Sequence, residues 1–286
     1  MTWFTWVFLG VLQGLTEFLP VSSSGHLVLA QSVLGVTVPG VVLEVTVHVA
    51  TALAVVVLYW RDLARMLAAV ARWPFRRRPG LRGAAVVRED YAWRGLAMNI
   101  LLATLVTSAI GFGFQPFFRG AFEQPKVAAG MLLVTGAVLY ASRWIRKGRR
   151  GPSDLGPADA FWVGIAQGLA ILPGLSRSGL TIVGGLTRKL RGEAAARFAF
   201  LLAIPAVLGA ALVETVGSGE FSAALRAGVS LGGLGAAFAA AFVAGLGAMV
   251  LLVRVVERGQ LHRFAWYCWL AGGAALAWLY LAGGPG

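Results

Sequence analysis

Two short stretches of this chain carry groups that can do chemistry. The first, GLTEFLPVSSSGHL over 14–27, gathers a carboxylate, three serines and an imidazole around one proline. The second, PGLSRSGLT over 173–181, sets a guanidinium between two serines. Ser23 and His26 are three positions apart, so a helix starting at the serines puts them on one face. An imidazole beside a hydroxyl is the usual route to an activated nucleophile. Glu17, just before the proline, could hold a divalent metal, orient His26 or move a proton. Arg177 has the planar fork that suits phosphate oxygens. Serines opening a helix cap it and leave first-turn N–H groups for an anion. The chemistry these residues suggest is attack on a phosphate-like anion. Glu44 and His48, four apart with Thr51 on the same stripe, could form a second wall of the cavity.

Each feature also has a plainer reading. Serine clusters and Gly/Pro breaks serve close helix packing in membranes. Arg177 could be a structural partner of Glu17, and Glu44 with His48 a satisfied buried pair. Asn99 reads as an interhelical polar residue.

The elements that must position these groups are membrane helices. Of 286 residues, 58% are hydrophobic and 13% charged, about half the charged share of a soluble domain; the mean hydropathy is +0.76. Apolar runs near the ~20 residues of a bilayer crossing recur, at 43–60, 95–114, 127–145, 198–217, 228–253 and 264–282. The formal charge of +13 does not point to nucleic acid, because the basic residues cluster at the ends of apolar runs as cytoplasmic loops do. The stretch RWPFRRRPGLR, 72–82, reads as a juxtamembrane loop facing anionic lipid. One cysteine, Cys268, excludes a disulfide framework and a thiolate metal site. No basic residue precedes Arg61, so the N-terminus is not expected to be a cleavable signal.

The chain repeats itself once. GVLQGLTEFLPVSSSG (10–25) aligns without gaps on GIAQGLAILPGLSRSG (164–179), pairing Gly10 with Gly164, Gln13 with Gln167, Gly14 with Gly168, Ser22 with Ser176 and Ser24 with Ser178. Three candidate spans follow each copy, and an odd number of crossings inverts the second half. Each copy is broken near its middle, by Pro20 or Pro173, and reads as a re-entrant helix–loop–helix. The expected fold is an all-α polytopic membrane protein with an inverted-topology repeat. Residues 1–150 hold a hairpin at 3–34 and the first three spans; residues 151–286 hold a hairpin at 158–188 and the last three. With the first hairpin entering from outside and the second from inside, 21 of the 25 basic residues fall in the cytoplasm. Arg119, Lys126 and Arg226 fall outside, and Arg177 in the membrane. Both termini are then outside. Non-helical backbone at membrane depth is tolerated only where it lines a buried or wet cavity, so a site is expected where the hairpin tips converge.

At this point the chain resembles a known family. Gln13-Gly-Leu-Thr-Glu17 matches the (E/Q)xxxE motif, and Pro173–Thr181 the PGxSRSxxT motif, of the bacitracin-resistance type of integral-membrane undecaprenyl-diphosphate phosphatase. TEFLPVSSSGH looks like that family's signature, and the similarity extends through 43–56 and 198–210. The resemblance implies hydrolysis of C55-isoprenyl diphosphate to the monophosphate, recycling the lipid carrier of bacterial cell-wall synthesis. It also implies a divalent cation, Mg2+ or Ca2+, and a site open to the outer face of the cytoplasmic membrane. Residue by residue, the family's functional positions fall on Glu17, Ser23, His26, Ser176, Arg177, Ser178 and Thr181. Gln13 stands where a second carboxylate is allowed, and His48 where some members have glutamine. We expect Glu17, Ser23, His26 and Arg177 as catalytic residues, Glu17 also as metal ligand. Gln13, Ser22, Ser24, Ser176, Ser178, Thr181, Glu44 and His48 are expected around the substrate. Ser23, His26 or water is the nucleophile. A transporter or flippase for a lipid phosphate is the alternative class, since inverted repeats with broken helices also build carriers. The glycine-rich span 228–253 would permit close packing of a neighbouring helix, within the chain or between subunits.

Overall fold

The structure, a computed structural model, describes residues 2–34, 42–73, 84–122, 124–218 and 228–281. Most of the basic stretch 72–82 lies outside them. The described residues form twelve α-helices and no strand. In chain order these are α1 (Trp3–Phe18), α2 (Ser23–Leu34), α3 (Val42–Leu58), α4 (Trp60–Arg72), α5 (Ala84–Gly113) and α6 (Gln115–Phe122). There follow α7 (Pro125–Ala141), α8 (Pro157–Leu169), α9 (Arg177–Thr187), α10 (Gly192–Ser218), α11 (Leu231–Glu257) and α12 (Phe264–Leu281).

Among the described residues five helical stretches are, each by itself, long and apolar enough to cross a membrane: Arg88–Gly113, Pro125–Trp144, Gly192–Val213, Leu231–Glu257 and Leu261–Leu281. They correspond to five of the six runs expected from sequence; the last run's final residue, 282, lies outside the described residues. The run 43–60 coincides with α3, which stops at Leu58 and turns by 77° into α4; counted as one span, this bent pair brings the number to six. The cause is local chemistry. Beyond Tyr59 the sequence is charged, and the only buried charge in α4, Asp62, is held by the Nε of Arg197 on α10 at 2.7 Å. Arg61, Arg65 and Arg72 stay exposed on the helix. A helix with an arginine stripe cannot continue α3 into hydrocarbon.

The two broken helical pairs, α1–α2 and α8–α9, are set into the bundle reciprocally. Helix α1 packs along α11, and α8 packs along α5. In each case the partner is the middle one of the three long helices of the opposite half. The repeated glycines explain the fit. A Cβ on Gly10 or Gly14 would run into the carbonyls of Ala237 and Ala241 on α11. A Cβ on Gly164 would lie 2.8 Å from the Ala103 carbonyl of α5, and one on Gly168 would meet Ile110. Gly10, Gly14 and Gly164 admit a neighbour's backbone and Gly168 admits the Ile110 side chain, the close approach that small residues give membrane helices. The glycines of α11 are also used within the chain, Gly233 against Trp6 and Gly245 against Phe18. Asn99 is buried and donates to the Leu155 carbonyl at 2.8 Å, tying α5 to the segment before α8.

That segment is held by a compact charge cluster. Asp159, in the first turn of α8, accepts from Arg150 Nη1 at 3.1 Å and Nη2 at 2.6 Å, from Arg188 Nε at 2.7 Å and from the Gly156 N–H at 3.0 Å. Burial alone would raise its carboxyl, but the hydrogen bonds from Arg150, Gly156 and Arg188 outweigh it and bring it down from 3.8 to about 2. The cluster joins both ends of the α8–α9 pair, since Arg188 follows α9 directly. A carboxyl that titrates below its ordinary value stabilises the fold fully above about pH 4, and that contribution disappears as pH falls toward about 2. Thermal melts in detergent across pH 2–5 are expected to show this loss in the wild type. Asp159→Asn should melt lower at pH 5 and lack the acid slope; an unchanged slope in the variant would remove Asp159 from this role.

Candidate active site

Helix α1 ends at Phe18, and residues 19–22 carry the chain into α2. Ser22 sits at φ 67, the left-handed region that a non-glycine residue seldom occupies. Helix α8 ends at Leu169, and residues 170–176 lead to α9. There Gly174 takes φ +91, and a Cβ on it would strike the Ala128 carbonyl of α7. Ser176 caps α9, its Oγ accepting from the Gly179 N–H at 3.1 Å.

The two breaks touch. Ser178 Oγ donates to the Leu19 carbonyl at 3.2 Å. A Cβ on Gly179 would lie 3.2 Å from Cβ of Pro20, and one on Gly25 would lie 3.7 Å from Cα of Gly174. At this seam Arg177, the first residue of α9, pairs through Nη2 with Glu17 Oε1 across 160 positions of sequence.

Glu17 is the hub. Its other oxygen, Oε2, accepts from Ser23 Oγ at 2.6 Å and from Gln13 Nε2 at 2.8 Å. His48 Nε2 stands 3.6 Å from the same oxygen, while its Nδ1 donates to the Glu44 carbonyl at 2.7 Å. Gln13 is buried, and its Oε1 is without a partner. Gln167, its counterpart in the repeat, repeats the pattern: Nε2 donates to Thr107 at 3.2 Å and Oε1 is unpaired.

The expected residues thus divide. Gln13, Glu17, Ser23 and Arg177 meet, with His48 at the edge and Ser178 bridging the breaks. The spacing-based pairing of Ser23 with His26 is not what forms. Ser23 turns its hydroxyl to Glu17, and His26 turns away: Nδ1 donates to the Ser22 carbonyl at 2.8 Å, and Nε2 lies 2.7 Å from the Tyr267 hydroxyl of α12. A shared helical face does not bring two side chains together when each has a better partner off it. Ser22 and Ser24 face each other at 3.4 Å, and Ser176 and Ser178 at 3.2 Å. Thr181 bonds back to the Arg177 carbonyl of its own helix at 2.7 Å, and Thr51 to that of His48 at 2.8 Å. Glu44 contributes its backbone carbonyl to His48 and is half-buried.

Two residues at the site gave no signal in the sequence. Tyr267 lies in an apolar run rich in Trp and reads there as an interfacial aromatic. Thr135, fully buried on α7, donates to the Gly174 carbonyl at 2.9 Å and accepts from the Ser176 N–H at 3.0 Å. It fixes the second break in place, yet a lone threonine inside an apolar span looks like filler.

An acid, a hydroxyl and a guanidinium are held together between broken helices inside an apolar bundle, and the class of the chain is a polytopic helical membrane protein. Comparison with known proteins gives the particular family. Residues 6–274 match the family model described as bacitracin resistance protein BacA, and the chain belongs to that family. It is 43% identical over 272 residues to the undecaprenyl-diphosphatase of Desulfosudis oleivorans, covering 94% of this chain and 96% of the relative. The undecaprenyl-diphosphatase of Syntrophotalea carbinolica is also 43% identical over 272 residues, with 95% and 97% covered. That of Salinibacter ruber is 39% identical over 282 residues, with 98% and 100% covered.

Replacing Thr135 by Val would leave a buried N–H and a buried carbonyl without their partner, at a cost of about 1–3 kcal/mol. Thr135→Val is expected to lower the melting temperature in detergent, and Thr135→Ser to keep most of it. Equal melting of both variants and wild type would show that this hydroxyl does not hold the break.

Proposed function

We propose that this chain hydrolyses undecaprenyl diphosphate to undecaprenyl phosphate and inorganic phosphate, recycling the lipid carrier of cell-wall synthesis and thereby conferring bacitracin resistance. The observation that carries the reading is the Glu17–Ser23–Arg177 cluster at the seam of the two breaks. Near-full-length similarity to proteins named undecaprenyl-diphosphatase supports the substrate.

In this reading Ser23 Oγ attacks the terminal phosphorus. Its proton passes to Glu17 Oε2, to which it is already hydrogen-bonded at 2.6 Å, rather than to His26. The P–O bond to the prenyl phosphate breaks, leaving a phosphoserine that water then cleaves, with Glu17 returning the proton to Ser23. Arg177 and the positive end of α9 stabilise the charge on the transferring phosphoryl group. Trapped phosphate separates the nucleophiles, because phosphohistidine is lost in acid and phosphoserine is not.

The residues present suit a divalent cation of the Mg2+ or Ca2+ kind. The Glu17 carboxylate and the unpaired, buried Oε1 of Gln13 are both oxygen donors. Among the described residues no three His, Cys, Asp or Glu side chains form a metal cage. The fit is therefore to an ion that completes its shell with substrate phosphates and water, as Mg2+ does. Glu17 and Gln13 would hold it, and it would supply further charge neutralisation at the diphosphate.

The halves 1–150 and 151–286 are read as inverted repeats, each a re-entrant hairpin plus three crossings. The reciprocal packing of α1 on α11 and α8 on α5 supports this. So does the distribution of basic residues, which favours an orientation with both termini outside; the family resemblance implies a site open to the outer face of the inner membrane.

Purified protein in detergent is expected to release phosphate from undecaprenyl diphosphate, whereas a pure carrier of lipid phosphate releases none. Arg177→Lys keeps the charge and loses the two-pronged geometry, and Glu17→Gln loses the proton acceptor. Both should lower turnover at least ~100-fold while the protein still folds. Near-normal release by Arg177→Lys would discredit the phosphate role of the seam.

A further inference from the structure

His26 has a partner on each ring nitrogen, and the second partner is a residue the reaction above does not use. Nδ1 lies 2.8 Å from the Ser22 carbonyl. A carbonyl oxygen only accepts, so Nδ1 carries a hydrogen in either protonation state of the ring. Nε2 lies 2.7 Å from the Tyr267 hydroxyl, a group that both donates and accepts. A neutral His26 therefore receives the Tyr267 O–H at Nε2. An imidazolium instead donates its Nε2–H to the Tyr267 oxygen. The pair accommodates a proton arriving or leaving without either side chain moving.

Its placement is built, not incidental. Tyr267 comes from α12, 241 positions along the chain, and its ring lies nearly parallel to the imidazole, at 12° with centroids 5.6 Å apart. The next residue, Cys268, is buried and donates through Sγ to the Pro20 carbonyl at 3.5 Å. Two consecutive residues of α12 thus reach the first break, one near its start and the other across the first turn of α2. Tyr267 is part of the candidate span Leu261–Leu281, and His26 is half-buried.

We propose that Tyr267 is a second proton-transfer residue of the hydrolysis, linking the attacking water to His26 in the step that cleaves the phosphoserine. The assignment rests on the hydrolytic reading given above. Water oxygen bonds to phosphorus as the Ser23 Oγ–P bond breaks. One water proton passes to the Tyr267 oxygen as the Tyr267 proton passes to Nε2, and Glu17 returns its proton to Ser23. The imidazolium so formed, with Nδ1–H still on Ser22, returns its Nε2 proton through Tyr267 to the inorganic phosphate, which leaves with it. Atoms and charges balance, and no further reactant is needed.

Tyr267→Phe removes only the hydroxyl. In detergent with undecaprenyl diphosphate as substrate, kcat is expected to fall ~10- to 100-fold, below the upper range for a lost acid–base group. KM should stay within about twofold and the melting temperature near wild type. The second readout is independent of activity: 15N spectra of histidine-labelled protein, in which His26→Gln identifies the His26 signals among the chain's three histidines. In Tyr267→Phe the His26 Nε2 signal should move and its Nδ1–H signal should remain. A kcat within twofold of wild type, or an unmoved Nε2 signal, overturns the proposal while leaving hydrolysis intact. A wild-type protein that releases no phosphate overturns the hydrolytic reading itself, and the proton role of Tyr267 with it.

Discussion

The ion pair between Glu17 and Arg177 is the constraint on which the architecture turns. Each charge alone would cost about 2.5–3.5 kcal/mol or more at the centre of a membrane helix. Each lowers the cost of placing the other in its break, and they come from opposite halves of the chain. Buried pairs are weak evidence for net stability, because desolvation consumes much of the attraction. What such a pair supplies here is register. The fold satisfies both charges only when the end of α1 and the start of α9 lie side by side, and Ser178 and Gly179 lock that position through the backbone and ring of Leu19 and Pro20.

Bringing two interrupted helices to one point requires that their first arms lie very close to their neighbours. Four of the repeated glycines meet that need. Gly10 and Gly14 admit the α11 backbone, and Gly164 and Gly168 admit α5. The repeat is therefore a packing device first. Its identities at Gly10, Gly14, Gly164 and Gly168 serve close helix approach, whereas those at serine belong to the breaks. The unpaired Oε1 atoms of Gln13 and Gln167 show the two roles diverging within one motif. Gln13 adjoins a carboxylate at the seam, and Gln167 adjoins only Thr107 and the α5 backbone. One copy carries the acid, and the other carries the guanidinium.

Most of this was legible in the sequence because it is written in residue types that have few other uses inside a membrane. Proline and glycine marked both breaks to within a few residues. Apolar length marked five of the crossings, and the only ionisable groups near the breaks marked the site. Partner choice was not legible. Spacing on α2 put Ser23 beside His26, but a side chain three positions away competes with partners from other helices, and here Glu17 and Tyr267 win. The run 43–60 ended where α3 does, but the 77° turn that brings Asp62 to Arg197 on α10, 135 positions away, depends on a partner that hydropathy does not see. Thr135 and Tyr267 were invisible for a related reason: a single polar atom in an apolar helix becomes informative only when its neighbour is known.

The resting arrangement also bears on how a diphosphate would enter. In the structure Glu17 satisfies one edge of Arg177 and holds the Ser23 hydroxyl, so acid, hydroxyl and cation are joined with no anion needed to organise them. An incoming phosphoryl group competes with Glu17 for the guanidinium, which has five N–H donors and can serve both. Sharing Arg177 weakens its hold on the Glu17 carboxylate, and a carboxylate less neutralised by its partner is a better acceptor for the Ser23 proton. Substrate binding would then raise the basicity of the residue that activates the nucleophile. A lysine at 177 could not serve the same way, since one ammonium cannot span carboxylate and phosphate with the fixed geometry of a planar fork. The ion pair that assembles the fold is, in this view, the contact that the substrate must partly take over for the reaction to begin.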